Sequence, residues 1–275
     1  MWKALKYILL FFLIEIILVV FFICVGLFLR FNKSEILSGL MPALALSQII
    51  FVWIAYLKKQ FRFSTSALKK EIFGVVGISV LIVISLLVPE SVWHIEILDV
   101  QNINEKFFED VFEGGISAVC ILLAFCVFGP VAEEILFRKI VLYSLLESRM
   151  LKGKAIWAIL ISSLLFAIFH VSPEKLLYTF IAGLLYAWVD YRTGSLWPSI
   201  ILHIINNSFI GIGIVLSIWL LEETPETFSE TSSITELFGS SWAVYLIVGI
   251  SLVICVVLIY WLKKFLDQKY PKVCE

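Results

Sequence analysis

Eight polar side chains stand inside long apolar stretches of this chain: Glu15, Glu133, Glu134, Arg138, His170, His203, Asn206 and Asn207. An ionisable group in hydrocarbon is costly and by default marks a functional site. Glu133 and Glu134 are neighbours, so on a helix their side chains point about 100° apart and are not expected to face one partner. Glu134 and Arg138 stand four apart and share a helical face. That predicts an ion pair and leaves Glu133 to present its carboxylate elsewhere. Just upstream, Gly129-Pro130 is expected to kink the helix and so help open a wet cavity beside Glu133, because a proline lacks an N–H. Phe166 and His170 are also four apart, as are His203 and Asn207. Three helices would then each carry one polar stripe.

A carboxylate, one or two imidazoles and a carboxamide are what amide hydrolysis requires. They supply a base to deprotonate water, a group to pass the proton to the leaving amine, and donors for the tetrahedral oxyanion. No serine paired with a base stands out as a nucleophile, and no pair of aspartates occurs within the apolar stretches; Asp190 is expected at a cytoplasmic helix end beside Arg192. Zinc is the chemical rival, because one Glu and two His can form a metal triad. Neither H-E-x-x-H nor H-x-x-E-H occurs, so a metal would need ligands from three separate helices.

These groups are conspicuous because of what surrounds them. The 275 residues are 61% hydrophobic and 16% charged, with a mean hydropathy of +1.02. Soluble domains run about 45–50% apolar and roughly 25% charged. The composition therefore excludes a soluble enzyme, a nucleic-acid binder and a secreted disulfide scaffold. Cys24, Cys120, Cys126 and Cys255 all lie in apolar runs and read as small core residues.

A bilayer interior of ~30 Å needs about 20 apolar helical residues. On that ruler the charged clusters divide the chain into eight predicted helices, near 8–29, 40–57, 72–89, 115–137, 155–171, 175–190, 196–221 and 242–262, the fourth extending to about residue 148. The expected fold class is all-α: a polytopic membrane helix bundle of about eight transmembrane helices, forming one integral membrane domain over 1–275 with a motif-bearing core at 115–210. Lys58, Lys59, Arg62, Lys69 and Lys70 place the second loop in the cytoplasm. Eight spans then put both termini in the cytoplasm and the acidic stretches 90–113 and 222–236 on the other side. Segment 101–113 is expected as an amphipathic surface helix or a solvated loop.

The segments Glu-Glu-Ile-Leu-Phe-Arg (133–138), Phe-Ala-Ile-Phe-His (166–170) and His-Ile-Ile-Asn-Asn (203–207) resemble three patterns of one family. These are E-E-x-x-x-R, F-x-x-x-H and H-x-x-x-N of the CAAX protease and bacteriocin-processing family, also called the Abi or type II CAAX prenyl endopeptidase family. The resemblance covers about residues 115–210 and keeps the order of the motifs. It implies that Glu133 is the base activating water, with His170 assisting. His203 and Asn207 would stabilise the oxyanion, while Glu134 and Arg138 hold the motif in place. Phe166 opens the second motif, and Asn206 fits a shorter spacing from His203. The family is now treated as glutamate-dependent, so the resemblance implies no cofactor, with zinc a minority reading. For the chemistry to work, Glu133 and His170 must meet at one depth. A tilted fifth–sixth hairpin is expected to bring them there.

The implied activity is that of an intramembrane endopeptidase whose partners are the lipid bilayer and a membrane-associated or lipidated peptide or protein. A prenylated tail, a peptide pheromone, a bacteriocin leader and a membrane-protein segment all suit it; nucleic acid does not. The alternative is a non-catalytic membrane binding protein, such as a bacteriocin immunity or regulatory protein, which would not need Glu133, His170 and Asn207 together. No inverted repeat supports a transporter. The expected setting is a prokaryotic cytoplasmic membrane, with oligomeric state unassigned. Glu15 lies outside the motifs and is expected to be a carboxyl kept neutral or bonded to a neighbouring helix. His94 is expected in the acidic outer loop.

Overall fold

The structure, a computed structural model, describes residues 2–31, 33–61, 70–92, 115–170, 173–221 and 241–271. Among these residues there is no strand, and eight long helices follow one another. They are α1 (Trp2–Phe28), α2 (Lys33–Leu57), α3 (Lys70–Val92), α4 (residues 115–146), α5 (Ala155–Phe169), α6 (Leu176–Thr193), α7 (Trp197–Leu221) and α8 (Ser241–Lys269). His94 and the segments 101–113 and 222–236 lie outside the described residues.

The chain is an all-α membrane bundle. Trp2–Phe28, Glu71–Glu90, Val119–Leu146 and Trp242–Lys269 are long and apolar enough to cross a bilayer, and Pro42–Leu57 and Ala155–Phe169 are shorter apolar helices. Leu9, Leu13, Ile16, Val20 and Phe21 on α1, and Tyr245, Leu246, Val253 and Val256 on α8, are exposed. Apolar side chains at that density on an outer surface suit lipid as the solvent. Helix ends overrun the apolar ruler: α1 begins at Trp2 rather than residue 8, and α8 continues to Lys269. The ruler measures hydrocarbon thickness, whereas a helix continues through its flanking charged residues.

The helices group into two compact bodies. The first holds α1, α2, α4 and α7 from His203 onward. Here α1 and α2 form a hairpin in which buried Phe11 meets Phe51 edge to face, ring centroids 4.9 Å apart. Both helices pack against α4, whose Ile135, Leu136, Phe137, Ile140, Val141 and Leu142 are all buried.

The second body holds α3, α5, α6, the first residues of α7, and α8. Gly74 lets α3 and α8 approach closely, since a Cβ there would stand 2.6 Å from Cζ of Phe265. Ser251 Oγ donates to the carbonyl of Ser85 across the same pair of helices. Arg192 at the end of α6 donates to Asp267 Oδ1 at 2.8 Å and to the carbonyl of Tyr270 at 3.2 Å. Gly194, at φ +65°, closes α6 by donating its N–H to Asp190, and Ser195 Oγ then accepts from the N–H of Trp197 at the start of α7.

Candidate active site

Helix α4 carries the first motif and does not wind uniformly. Ala124–Phe128 and Ile135–Leu142 are π-helical, and Gly129–Glu134 between them is α-helical. Wide turns of this kind recur at functional sites. The first has a cause in the sequence. Pro130 offers no N–H and crowds the carbonyl four residues before it, so the helix widens ahead of it. In the widened turn the N–H of Gly129 bonds to the carbonyl of Ala124. Gly129 is thereby engaged one residue earlier, and position 130 has no hydrogen to offer the Phe125 carbonyl. Asn207 supplies the donor, its Nδ2 lying 3.0 Å from the Phe125 oxygen.

Two further contacts hold α7 against this turn. Cys126 Sγ donates to the carbonyl of Asn207 at 3.7 Å. A Cβ at Gly211 would lie 3.0 Å from that sulfur. Asn206 is buried and donates to Asn207 Oδ1 at 3.3 Å. Asn207 thus grips the α4 backbone through one N–H of its carboxamide and keeps a second.

One turn beyond Pro130 stand the two acids. Arg138 Nε lies 3.0 Å from Glu134 Oε2, and both side chains are completely buried. This is the i,i+4 ion pair that the spacing predicts. The other oxygen of Glu134 faces His203 Nδ1 at 3.0 Å. On the opposite edge of the same imidazole, His203 Nε2 is 3.9 Å from Glu133 Oε2. The expectation that two adjacent acids could not face one partner is therefore corrected. An imidazole presents nitrogens on two edges, so side chains diverging along the helix can address it from two sides. A carboxylate held by arginine accepts, so Nδ1 of His203 carries the proton and Nε2 is turned toward Glu133. Glu133 keeps 17% of its side chain exposed, against 0% for Glu134. Of the two acids, only Glu133 is open to a reactant.

The second motif belongs to the second body. His170 Nδ1 lies 2.8 Å from the carbonyl of Phe166, and the two rings meet edge to face at 4.7 Å. A carbonyl only accepts, so Nδ1 carries the hydrogen and Nε2 is the proton-accepting nitrogen of the neutral ring. Phe166 is buried, and Gly183 on α6 makes room for it: a Cβ there would come within 3.1 Å of Phe166 Cδ1. Among the described residues, no group of three His, Cys, Asp or Glu side chains is placed to hold a metal ion.

Sequence reasoning missed Gln48 on α2. Its carboxamide lies against Gly129, where an added Cβ would be 3.3 Å from Nε2. A lone carboxamide in an otherwise apolar run was the available signal.

Residues 115–209 match the Rce1-like family, described as type II CAAX prenyl endopeptidase Rce1-like. Over 112 residues the chain is 35% identical to a protein of Bacillus subtilis (strain 168) named "Putative membrane peptidase YdiL". That alignment spans 41% of this chain and 43% of the relative, so less than half of either is covered. No solved structure matches the chain. The resemblance carried by the three motifs is borne out over the segment that contains them.

Proposed function

We propose that this chain is an intramembrane endopeptidase that hydrolyses a peptide bond of a membrane-associated or lipidated peptide or protein. The observation that carries the reading is the arrangement about His203, with a sealed Glu134 on Nδ1 and an accessible Glu133 facing Nε2. Glu133 takes a proton from water, and the hydroxide oxygen bonds to the carbonyl carbon. The remaining N–H of Asn207 stabilises the oxyanion that forms, joined by His203 when its Nε2 also carries a proton. The C–N bond then breaks and the proton passes to the amine nitrogen. His170, oriented by its bond to Phe166, assists through Nε2. Glu134 and Arg138 position the imidazole, as an orienting carboxylate does in other histidine-assisted hydrolases.

No step in this reading uses a cofactor. The positive loop between α2 and α3 supports a cytoplasmic location for both termini, and the setting proposed is a prokaryotic cytoplasmic membrane. The test is to place the purified chain in lipid vesicles with peptides extracted from the host membrane and to read new termini by mass spectrometry. Discrete new termini are expected. Peptides that are retained but remain intact would instead indicate a non-catalytic binding protein.

A further inference from the structure

Asn206 is a buried polar side chain to which the reaction above gives no role. It lies on α7 in the first body, and its Nδ2 donates to Asn207 Oδ1 at 3.3 Å. Adjacent side chains on a helix do not ordinarily face each other, so this bond is not a by-product of helical spacing. It joins two contacts that hold Asn207 against α4, from its Nδ2 to the Phe125 carbonyl at 3.0 Å and from Cys126 Sγ to its own backbone carbonyl at 3.7 Å.

The three contacts have different consequences. The bond from Cys126 fixes the main chain of Asn207, not its carboxamide. Rotation of an asparagine carboxamide about its last torsion is broad and only twofold. Held at Nδ2 alone, the group could rock about its bond to Phe125. The Phe125 carbonyl only accepts, whereas the Nδ2 of Asn206 only donates. These opposite partners therefore fix which end of the Asn207 carboxamide is which, and they fix its plane. Because the group is planar, the direction of its second N–H is then determined as well. An amide whose oxygen accepts a hydrogen bond is also the stronger donor at nitrogen, since bonds in a chain polarise one another. His203 stands one turn earlier on the same helix, so this N–H belongs to the stripe that carries the imidazole.

We propose that Asn206 is a positioning residue for the oxyanion site: its bond to Asn207 Oδ1 sets the plane of that carboxamide and strengthens its second N–H as a donor. The proposal rests on the reading of Asn207 as the oxyanion donor. Asn206 acts through Asn207 and touches no reacting atom. An aligned donor gains most from the charge that develops as the carbonyl is attacked, so losing the alignment slows the chemical step rather than weakening peptide binding.

Two measurements on the full chain in lipid nanodiscs test this. The first needs no substrate: nuclear magnetic resonance follows the side-chain nitrogens of the five asparagines, and Asn207→Ala identifies the Asn207 signal. Asn206→Leu is expected to move that signal upfield, the direction that follows when an amide oxygen loses a donor. A signal that stays in place overturns the proposal. The second uses a host-membrane peptide that the unmodified chain cleaves. Asn206→Leu is expected to lower kcat about tenfold with KM little changed, and to cost nothing further in an Asn207→Ala background. An equal loss in both backgrounds, or a raised KM at unchanged kcat, overturns the proposal, because a purely structural role would not give the expected split. Asn206→Ala carries the same comparisons if Asn206→Leu does not fold. Failure of the underlying reading looks different: Asn207→Ala itself would then cleave at an undiminished rate.

Discussion

His203 Nδ1 lies 3.0 Å from Glu134 Oε1, and Arg138 Nε lies 3.0 Å from the other oxygen of that carboxylate. Arginine, glutamate and imidazole thus form one buried chain that ends at Glu133. Breaking it at one point leaves a buried charge without its partner. Arg138→Met is expected to destabilise the protein by about 3–5 kcal/mol, whereas Arg138→Met combined with Glu134→Leu should cost clearly less than Arg138→Met alone. Thermal unfolding in detergent measures both, and a double variant no more stable than the single one would remove the ion pair from the account.

The carboxamide of Asn207 stands in for the N–H that Pro130 lacks. Asn207→Ala should therefore cost about 1 kcal/mol by removing its hydrogen bond to the Phe125 carbonyl. In a Pro130→Ala background, position 130 regains an N–H that can reach this carbonyl. The Asn207→Ala penalty is expected to shrink there, a non-additivity that a double-mutant cycle reads directly. Strict additivity would mean the two residues do not serve the same carbonyl.

The widened turn also depends on Gly129. A Cβ at this position would stand 2.9 Å from the carbonyl oxygen of Ala124 and 3.3 Å from Gln48 Nε2. Gly129→Ala is expected to cost about 1–3 kcal/mol, as overpacking does. Gly77→Ala serves as the comparison, since nothing lies within 4 Å of its added Cβ. It should be neutral or stabilising by up to about 1 kcal/mol. Unfolding midpoints of the two variants side by side check the contrast.

The proposed reaction, in which Glu133 itself activates water, needs no metal. Cleavage by the purified chain is expected to survive exhaustive dialysis against a chelator, followed by product formation over time. Loss of activity that returns on adding zinc would move the water-activating role from Glu133 to a metal.

Much of this architecture was legible in the residues. The all-α membrane class followed from composition, and the Glu134–Arg138 pair from four-residue spacing. The bond between His170 and Phe166 likewise joins residues that the spacing places on one face. Other features were not legible, and for physical reasons. Reading Glu133 and Glu134 as divergent overlooked that an imidazole can be approached at two edges. Pro130 was expected to kink the helix, but whether a helix kinks or widens depends on which donors reach the carbonyls that the proline cannot serve. Here one such donor, Asn207, lies 82 residues away from Phe125. Gln48 stood as a polar group in an apolar run, yet its place against Gly129 follows only from the packing of α2 on α4.

The central claim is that Glu133 accepts the proton from the attacking water, and Glu133→Gln tests it most directly. The substitution keeps shape and hydrogen bonding while removing the base. At matched expression and matched unfolding temperature, the account predicts loss of cleavage by about 100-fold or more, with uncleaved membrane peptides accumulating. Cleavage at an undiminished rate in Glu133→Gln would contradict it.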